Sequence, residues 1–144
     1  MVEFDEILVP VDGSEGATRA AQFGARLAKA LNSPLKLAHV APLTSESVMA
    51  MAKMDRKDIE AHERSRGARV IASAREAIAD AGVDAQDLVL LGDAAEEILN
   101  YIDKHPKTLV VMGRRGLSTL RGLVVGSVSD KVSRHAHGAV TLVN

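Results

Sequence analysis

The chain has 144 residues with 18 basic and 19 acidic side chains, so its formal net charge is −1. Neither sign forms a long block and aromatic residues are scarce, which excludes the basic footprint and the stacking surface of a typical nucleic-acid-binding protein. The sequence contains no cysteine, which excludes disulfides, thiolate catalysis and cysteine-based zinc sites.

We expect a single domain over residues 1–144, because this length supports one hydrophobic core. No apolar run approaches the roughly 18 residues of a membrane span, and the acidic residues Glu3, Asp5 and Glu6 stand where an export signal would be basic. We therefore expect a cytoplasmic protein that contacts neither membranes nor nucleic acid. Its partners are expected to be small molecules or proteins.

The first half of the chain alternates apolar strands with helices. Residues 7–11 form a continuous apolar run, typical of a strand buried on both faces of a parallel sheet. A helix is predicted over residues 15–31 with Ser14 as its N-cap, and a second strand over residues 35–40. The expected inward face of the helix comprises Ala20, Phe23, Leu27 and Leu31.

The segment after the second strand is predicted to be a surface crossover. It ends in a methionine-rich stretch, residues 49–54, which either fills the core at a helix start or forms a mobile flap over a ligand. A long helix is predicted over residues 58–81, and Gly82 is expected to end it.

The second half continues the same alternation. Its predicted elements are a strand over residues 88–91, a helix that begins after Asp93 and ends at His105, a strand over 108–112, a helix over 127–136 and a strand over 140–143. The third helix is expected to bury Ile98, Leu99 and Ile102. Alternating strands and helices predict an α/β fold, an open parallel sheet with helices on both faces and right-handed crossovers.

A glycine-bearing loop follows the fourth strand. It reads Gly113-Arg114-Arg115-Gly116, then nine residues, then Gly126-Ser127-Val128-Ser129 at the start of a helix. Glycine permits close backbone approach, free amides at a helix start bind anions, and arginine forms bidentate bonds with phosphate. The pattern predicts a phosphate site, although each glycine taken alone is equally typical of loop punctuation.

Asp12 ends the first strand and has two interpretations. In open α/β sheets, ligands bind outside the carboxyl ends of the strands where the strand order reverses. A sheet ordered 3-2-1-4-5 would bring Asp12 and the glycine loop to one crevice, where the carboxylate would bind ribose hydroxyls. The alternative role of Asp12 is a turn residue or helix cap. The complete Walker and dinucleotide-binding fingerprints are absent from the sequence.

At these residues the chain resembles the universal stress protein family, in particular its ATP-binding branch. The family pattern G-2X-G-9X-G-[ST] is matched without a gap by Gly113, Gly116 and Gly126-Ser127, and residues 7–14 resemble the family's opening strand. The resemblance covers essentially the whole chain. It implies an open five-stranded parallel sheet of order 3-2-1-4-5, Rossmann-like and similar to adenine nucleotide alpha hydrolases, that binds ATP, often with Mg²⁺.

The resemblance also implies a role for twelve residues at the nucleotide. Near the nucleoside, Pro10 and Val11 would border adenosine, Asp12 would hold ribose, Val40 would meet adenine through its backbone, and Met112 and Gly113 would flank the nucleoside. Along the phosphates would lie Arg115 and Gly116, with donors from Gly126, Ser127, Val128 and Ser129. It implies no metal ligand from the protein itself.

Family members resemble one another in forming dimers through the last strand, which here implies a homodimer through residues 139–143. That segment is apolar enough to need cover at the edge of a sheet. The family commonly has proline just before this strand, whereas this chain has Gly138-Ala139. The chain therefore departs from the family pattern at a position that affects the pairing of the last strand.

The sequence offers a nucleotide cradle without a complete catalytic set. His39 is expected to be a hydrogen-bonded core histidine, and His135 and His137 to be helix-end histidines rather than metal ligands. We therefore expect a regulatory protein that holds ATP, hydrolyses it slowly or not at all, and changes its contacts with a protein partner during stress. The alternatives are a slow ATP hydrolase or autophosphorylating enzyme that uses Ser127 or Ser129, and a dimerisation module without nucleotide.

Overall fold

The computed structural model describes residues 3–43, 55–116 and 125–144. In these ranges the chain forms β1 (Glu6–Pro10), α1 (Glu15–Leu31), β2 (Leu35–Ala41), α2 (Arg56–Ala77), a 3₁₀ turn (Ala79–Ala81), β3 (Ala85–Leu91), α3 (Ala94–Lys104), β4 (Thr108–Gly113), α4 (Ser127–His135) and β5 (Ala139–Val143). The methionine-rich stretch at residues 49–54 lies outside the described residues. None of the helices in the described ranges is long and apolar enough to cross a membrane.

The five strands form one parallel sheet in the order β3-β2-β1-β4-β5, which confirms the predicted α/β fold and strand order. β1 is central, and its apolar residues Ile7, Leu8 and Val9 are fully buried. A continuous apolar run fits this place because both faces of a parallel sheet are covered by helices. The strand order reverses between β1 and β4, whose carboxyl ends therefore flank a crevice.

Alternate residues of the strands point into two apolar layers. Ile7 and Val9 of β1 pack in the layer beneath α1 and α2, whereas Leu8 packs in the layer beneath α3 and α4. The same alternation continues in β4, where Val111 joins the first layer and Val110 the second. Helices therefore lie on both faces of the sheet.

The inward face of α1 differs in part from the prediction. Ser14 caps the helix as expected, since its hydroxyl accepts the Ala17 N–H at 3.1 Å. Phe23 and Leu27 are only partly buried against the core, and the prediction that Leu31 faces inward is wrong, because 50% of it is exposed. The buried residues of α1 are all small, namely Gly16, Ala17, Ala20, Ala21, Gly24, Ala25 and Ala28.

The long helix and two strands also have bounds that differ from those predicted. α2 ends at Ala77, and a 3₁₀ turn continues to Gly82, which adopts the expected left-handed conformation at φ +66°. β3 begins at Ala85, three residues before the predicted start, and the pattern missed this part because Gln86 and Asp87 on the edge strand are polar and exposed. In α3, Leu99 is half-buried whereas Ile98 and Ile102 are buried.

β5 pairs with β4 in spite of the departure at Gly138-Ala139. The register runs from Leu109 opposite Ala139 to Gly113 opposite Val143. Proline is therefore not required for the last strand to join the sheet.

Candidate functional site

A cavity of about 270 Å³ lies at the carboxyl ends of β1 and β4. All twelve residues singled out from the sequence line it: Pro10, Val11, Asp12, Val40, Met112, Gly113, Arg115, Gly116, Gly126, Ser127, Val128 and Ser129. Five more lining residues were not predicted: Ser14, Ala17, His39, Ala94 and Ile98. The fold thus gathers into one place residues that are spread over most of the sequence.

Asp12 joins the turn after β1 to the loop after β4. Its Oδ1 accepts the Ser14 N–H at 2.9 Å, which is the turn role that the sequence offered as an alternative. Its Oδ2 lies beside Gly116, where an added Cβ would stand only 2.5 Å away. Gly13, which lies between Asp12 and Ser14, has φ +88°, a conformation that favours glycine. The turn therefore presents the Asp12 carboxylate at the cavity wall beside the glycine loop.

Two glycines let the loop after β4 rest on the first turn of α1. A Cβ at Gly16 would lie 2.6 Å from the Arg115 carbonyl oxygen, and one at Gly113 would lie 2.8 Å from the backbone carbon of Gly16. Real Cβ atoms do not approach backbone this closely, so both positions require glycine for packing alone. Gly113 consequently has a structural role in addition to lining the cavity.

Gly126 is different, because none of its contacts in the described chain requires glycine. Its φ of −68° and ψ of 159° are accessible to any residue. The nearest described atoms to an added Cβ are 3.5 Å away, at ordinary van der Waals distance. Gly126 also donates its N–H to the Arg114 carbonyl oxygen at 2.7 Å, which fixes the start of α4 to the loop.

Among the described residues, no side chain caps the amino end of α4, since glycine occupies the N-cap. The N-terminal turns of α1 and α3 are capped by Ser14 and Asp93, each of which accepts a backbone N–H. An uncapped first turn presents amide donors with the positive end of the helix dipole behind them, an arrangement that suits an anion.

The two serines of α4 differ in availability. Ser129 is only 4% exposed, and its hydroxyl donates to the Gly113 carbonyl oxygen at 2.6 Å. That bond ties α4 to the end of β4 and uses the only proton of the hydroxyl. Ser127 is exposed at the first position of the helix and lines the cavity.

The cavity lining also includes a set of apolar residues, and His39 adds a polar one. The apolar lining residues include Val11, Val40, Ala94, Ile98 and Met112. His39 Nδ1 lies 2.7 Å from the Val11 carbonyl oxygen, and since a carbonyl only accepts, Nδ1 carries the proton and donates. This contact confirms the predicted hydrogen bond of His39, but the prediction of a core position is wrong, because His39 is half-buried and lines the cavity.

Three of the missed residues could have been found from topology. His39 lies near the carboxyl end of β2, beside the predicted Val40. Ala94 and Ile98 lie on the first turns of α3, which begins at the same edge of the sheet. A search of every strand end and of the first turns of the helix that follows it would have included these residues. They were missed because the sequence motifs lie only after β1 and β4.

Among the described residues there is no group of three or more histidine, aspartate or glutamate side chains that could hold a metal ion. Arg115 lines the cavity. Arg114 lies in the same loop, and its buried Nε has no hydrogen-bond partner among the described residues.

The fold and site define a class, namely an open, doubly wound α/β protein with a cavity at the point where its strand order reverses. The family model described as "Universal stress protein family" matches residues 3–144. "Universal stress protein YxiE" from Bacillus subtilis strain 168 is 32% identical over 146 residues, which cover 97% of this chain and 99% of the relative. This chain therefore belongs to the universal stress protein family.

Solved structures show the same fold. The universal stress protein UspA from Lactobacillus plantarum superimposes with a TM-score of 0.80 at 21% identity, with both chains covered completely. A universal stress protein in complex with cAMP superimposes with a TM-score of 0.74 at 25% identity, covering 98% of this chain and 97% of that one. At least one structural relative thus holds a nucleotide.

Proposed function

We propose that this chain is a cytoplasmic stress-response regulatory protein that binds ATP in the cavity between β1 and β4. The apolar lining residues of the cavity suit a purine base. The Asp12 carboxylate suits ribose hydroxyls, and the uncapped start of α4 suits phosphates. Mg²⁺ would be held chiefly by phosphate oxygens, since such hard ions are commonly bound through substrate phosphates rather than by an all-protein cage. The relative in complex with cAMP supports a nucleotide as the ligand class.

The observation that carries this proposal is Gly126. Neither its backbone angles nor the described atoms around it require glycine, in contrast to Gly16 and Gly113. A ligand that approaches the backbone at the start of α4 supplies the missing reason, because only glycine leaves that space open.

The test is the Gly126→Ala variant, titrated with ATP and Mg²⁺ by calorimetry. We expect its thermal unfolding to match that of the wild type, because the described atoms nearest to the added Cβ lie at ordinary van der Waals distance. We expect its ATP affinity to fall about 5- to 150-fold, since an intruding methyl typically costs about 1–3 kcal/mol in a close-packed site.

Gly138→Ala is the matched control. An added Cβ at Gly138 would have its nearest neighbours at 3.6 Å. This glycine lies just before β5, at the amino ends of the strands, whereas the cavity lies at their carboxyl ends. Both stability and ATP affinity of this variant should stay at the wild-type level. Equal affinity in Gly126→Ala and the wild type would contradict the proposed cradle.

The alternative of an autophosphorylating enzyme now rests on Ser127. Ser129 is a poor phosphoryl acceptor because its buried hydroxyl is held by the Gly113 carbonyl, whereas Ser127 is exposed at the cavity. One ADP released and one phosphoryl group retained per chain, both lost in Ser127→Ala, would favour the autophosphorylating enzyme, whereas steady release of ADP and phosphate would favour the hydrolase. We propose slow or no hydrolysis.

We further propose that the protein forms a homodimer through β5 (Ala139–Val143). This strand lies at the edge of the sheet and pairs with β4 on one side only, and its residues are half-buried in the single chain. Sedimentation analysis of the purified protein checks the dimer. The third alternative, a dimer without nucleotide, would be rejected if mass spectrometry finds an adenine nucleotide released from freshly purified protein.

A further inference from the structure

His39 holds the peptide that precedes Asp12. The regular pairing of β1 with β2 ends at Pro10 opposite Ala38, and Val11 then donates its N–H to the Ala38 carbonyl oxygen at 2.7 Å. The next acceptor, the Val11 carbonyl oxygen, is bonded by the imidazole of His39 at 2.7 Å. This carbonyl belongs to the same peptide plane as the Asp12 N–H, so the imidazole fixes the orientation of the backbone entering Asp12.

The imidazole is itself held in place from the side of α2. A Cβ at Gly67 would lie 3.2 Å from His39 Cδ2 and 2.9 Å from Val89 Cγ1. Glycine at this position allows the backbone of α2 to approach the ring closely. His39 is therefore packed between α2 and the carboxyl end of β1, and it also lines the cavity.

We propose that His39 is a positioning residue for nucleotide binding, which acts through the Val11 carbonyl on the placement of Asp12. This inference rests on the proposed ATP site. Asp12 Oδ1 is already held by the Ser14 N–H at 2.9 Å, and the histidine adds a restraint on the same short segment. Preorganised groups bind a ligand more tightly because less ordering is needed on binding.

The alternative role for His39 is a direct contact with the ligand through Nε2. Substitution by asparagine and by glutamine distinguishes this contact from the positioning role. The amide nitrogen of asparagine reaches the place of histidine Nδ1, whereas that of glutamine reaches the place of Nε2. Positioning through Val11 therefore predicts recovery by asparagine, and direct ligand contact predicts recovery by glutamine.

The experiment measures ATP affinity by calorimetry for the wild type, His39→Leu, His39→Asn and His39→Gln. We expect leucine and glutamine to weaken binding about 3- to 10-fold, as for the loss of one neutral hydrogen bond, and asparagine to restore most of the loss. His62→Leu, which removes an exposed histidine of α2 outside the cavity lining, serves as the control with wild-type affinity. Thermal unfolding of each variant identifies any general loss of structure, and the two amide variants preserve the comparison if the leucine variant does not fold.

A second readout needs no nucleotide. Nitrogen NMR of the free wild type should show neutral His39 as the Nδ1–H tautomer, and the Val11 carbonyl carbon shift should change in His39→Leu and return in His39→Asn. An Nε2–H tautomer, full affinity in His39→Leu, or recovery by glutamine alone would overturn the inference while leaving the ATP site intact. A wild type that binds no ATP would instead overturn the proposed function, and the inference with it.

Discussion

Asp12 illustrates how one residue can serve both the local turn and the ligand site. The turn role is visible in the structure, where Oδ1 accepts the Ser14 N–H. The proposed ribose role depends on the other side of the carboxylate, which faces the glycine loop beside Gly116. The structure thus shows the turn role through Oδ1, and the ribose role of Asp12 is part of the proposed ATP site.

This division of labour leads to a prediction for two variants. Asp12→Asn keeps an oxygen for the Ser14 N–H, so its thermal unfolding should stay close to that of the wild type, whereas Asp12→Ala loses that bond as well. Both variants should lose about 1.5–3 kcal/mol of ATP-binding free energy, the range for hydrogen bonds to a charged group. Calorimetry measures this loss.

The control for the Asp12 prediction is a ligand that lacks one ribose hydroxyl. The wild type should prefer ATP over 2′-deoxy-ATP, and Asp12→Asn should lose much of that preference, as expected for two partners of one contact. An unchanged preference in the variant would show that Asp12 does not bind the ribose.

Single residues with a strong local rule were predicted well from the sequence. Ser14 caps α1 and Gly82 adopts a left-handed conformation, because capping and positive φ depend on neighbouring residues alone. Leu31 was misplaced because helical periodicity marks an apolar face without showing how far the sheet extends beneath it. His39 could be predicted as a bonded histidine, but its partner Val11 lies 28 residues away in sequence.

At the scale of elements, a buried polar network joins β1, β2, β4 and α3 at their ends opposite the cavity. Glu6 is 8% exposed and its carboxylate lies 2.7 Å from Lys36 Nζ. It also accepts hydrogen bonds from Tyr101 at 2.7 Å and Thr108 at 2.9 Å. The network was not predicted, because Tyr101 and Thr108 lie 95 and 102 residues from Glu6 along the chain.

This network predicts how stability depends on pH. Burial raises the pKa of Glu6, but the hydrogen bonds from Lys36, Tyr101 and Thr108 and the charge of Lys36 outweigh burial, so the pKa lies below its ordinary value. A carboxylate with a lowered folded-state pKa stabilises the fold above its unfolded-state pKa and loses this contribution as the pH falls through its folded-state pKa.

Glu6→Gln should therefore lower the free energy of unfolding by about 1–3 kcal/mol at pH 7, because a buried charged partner is removed. The difference from the wild type should shrink as the pH is lowered below the ordinary glutamate range, where wild-type Glu6 becomes protonated as well. Denaturant unfolding at several pH values measures this. Glu3→Gln, an exposed neighbour, is the control, and a Glu6 effect that stays constant down to strongly acidic pH would contradict the account.

At the scale of the whole molecule, the alternation of strands and helices was sufficient to predict the parallel sheet, because buried parallel strands and amphipathic helices have distinct patterns. The predictions of the strand order and of an ATP site rested on the family resemblance, together with the Asp12 turn after β1 and the glycine loop after β4. The structure confirms the order and brings all twelve predicted residues to one cavity. Packing partners across elements, such as Ser129 with Gly113, required the three-dimensional fold.

We propose that ATP binds at the carboxyl ends of the strands with its phosphates on the amides of α4. The most direct measurement is an amide NMR titration of the nucleotide-free protein with ATP and Mg²⁺. We expect saturable shifts that are largest at the amides of Ser127 to Ser129 and of Asp12, with little change around Glu6 at the opposite ends of the strands, since the Gly126 N–H already donates to the Arg114 carbonyl oxygen. Shifts that cluster away from this cavity, or no saturable shifts at all, would contradict it.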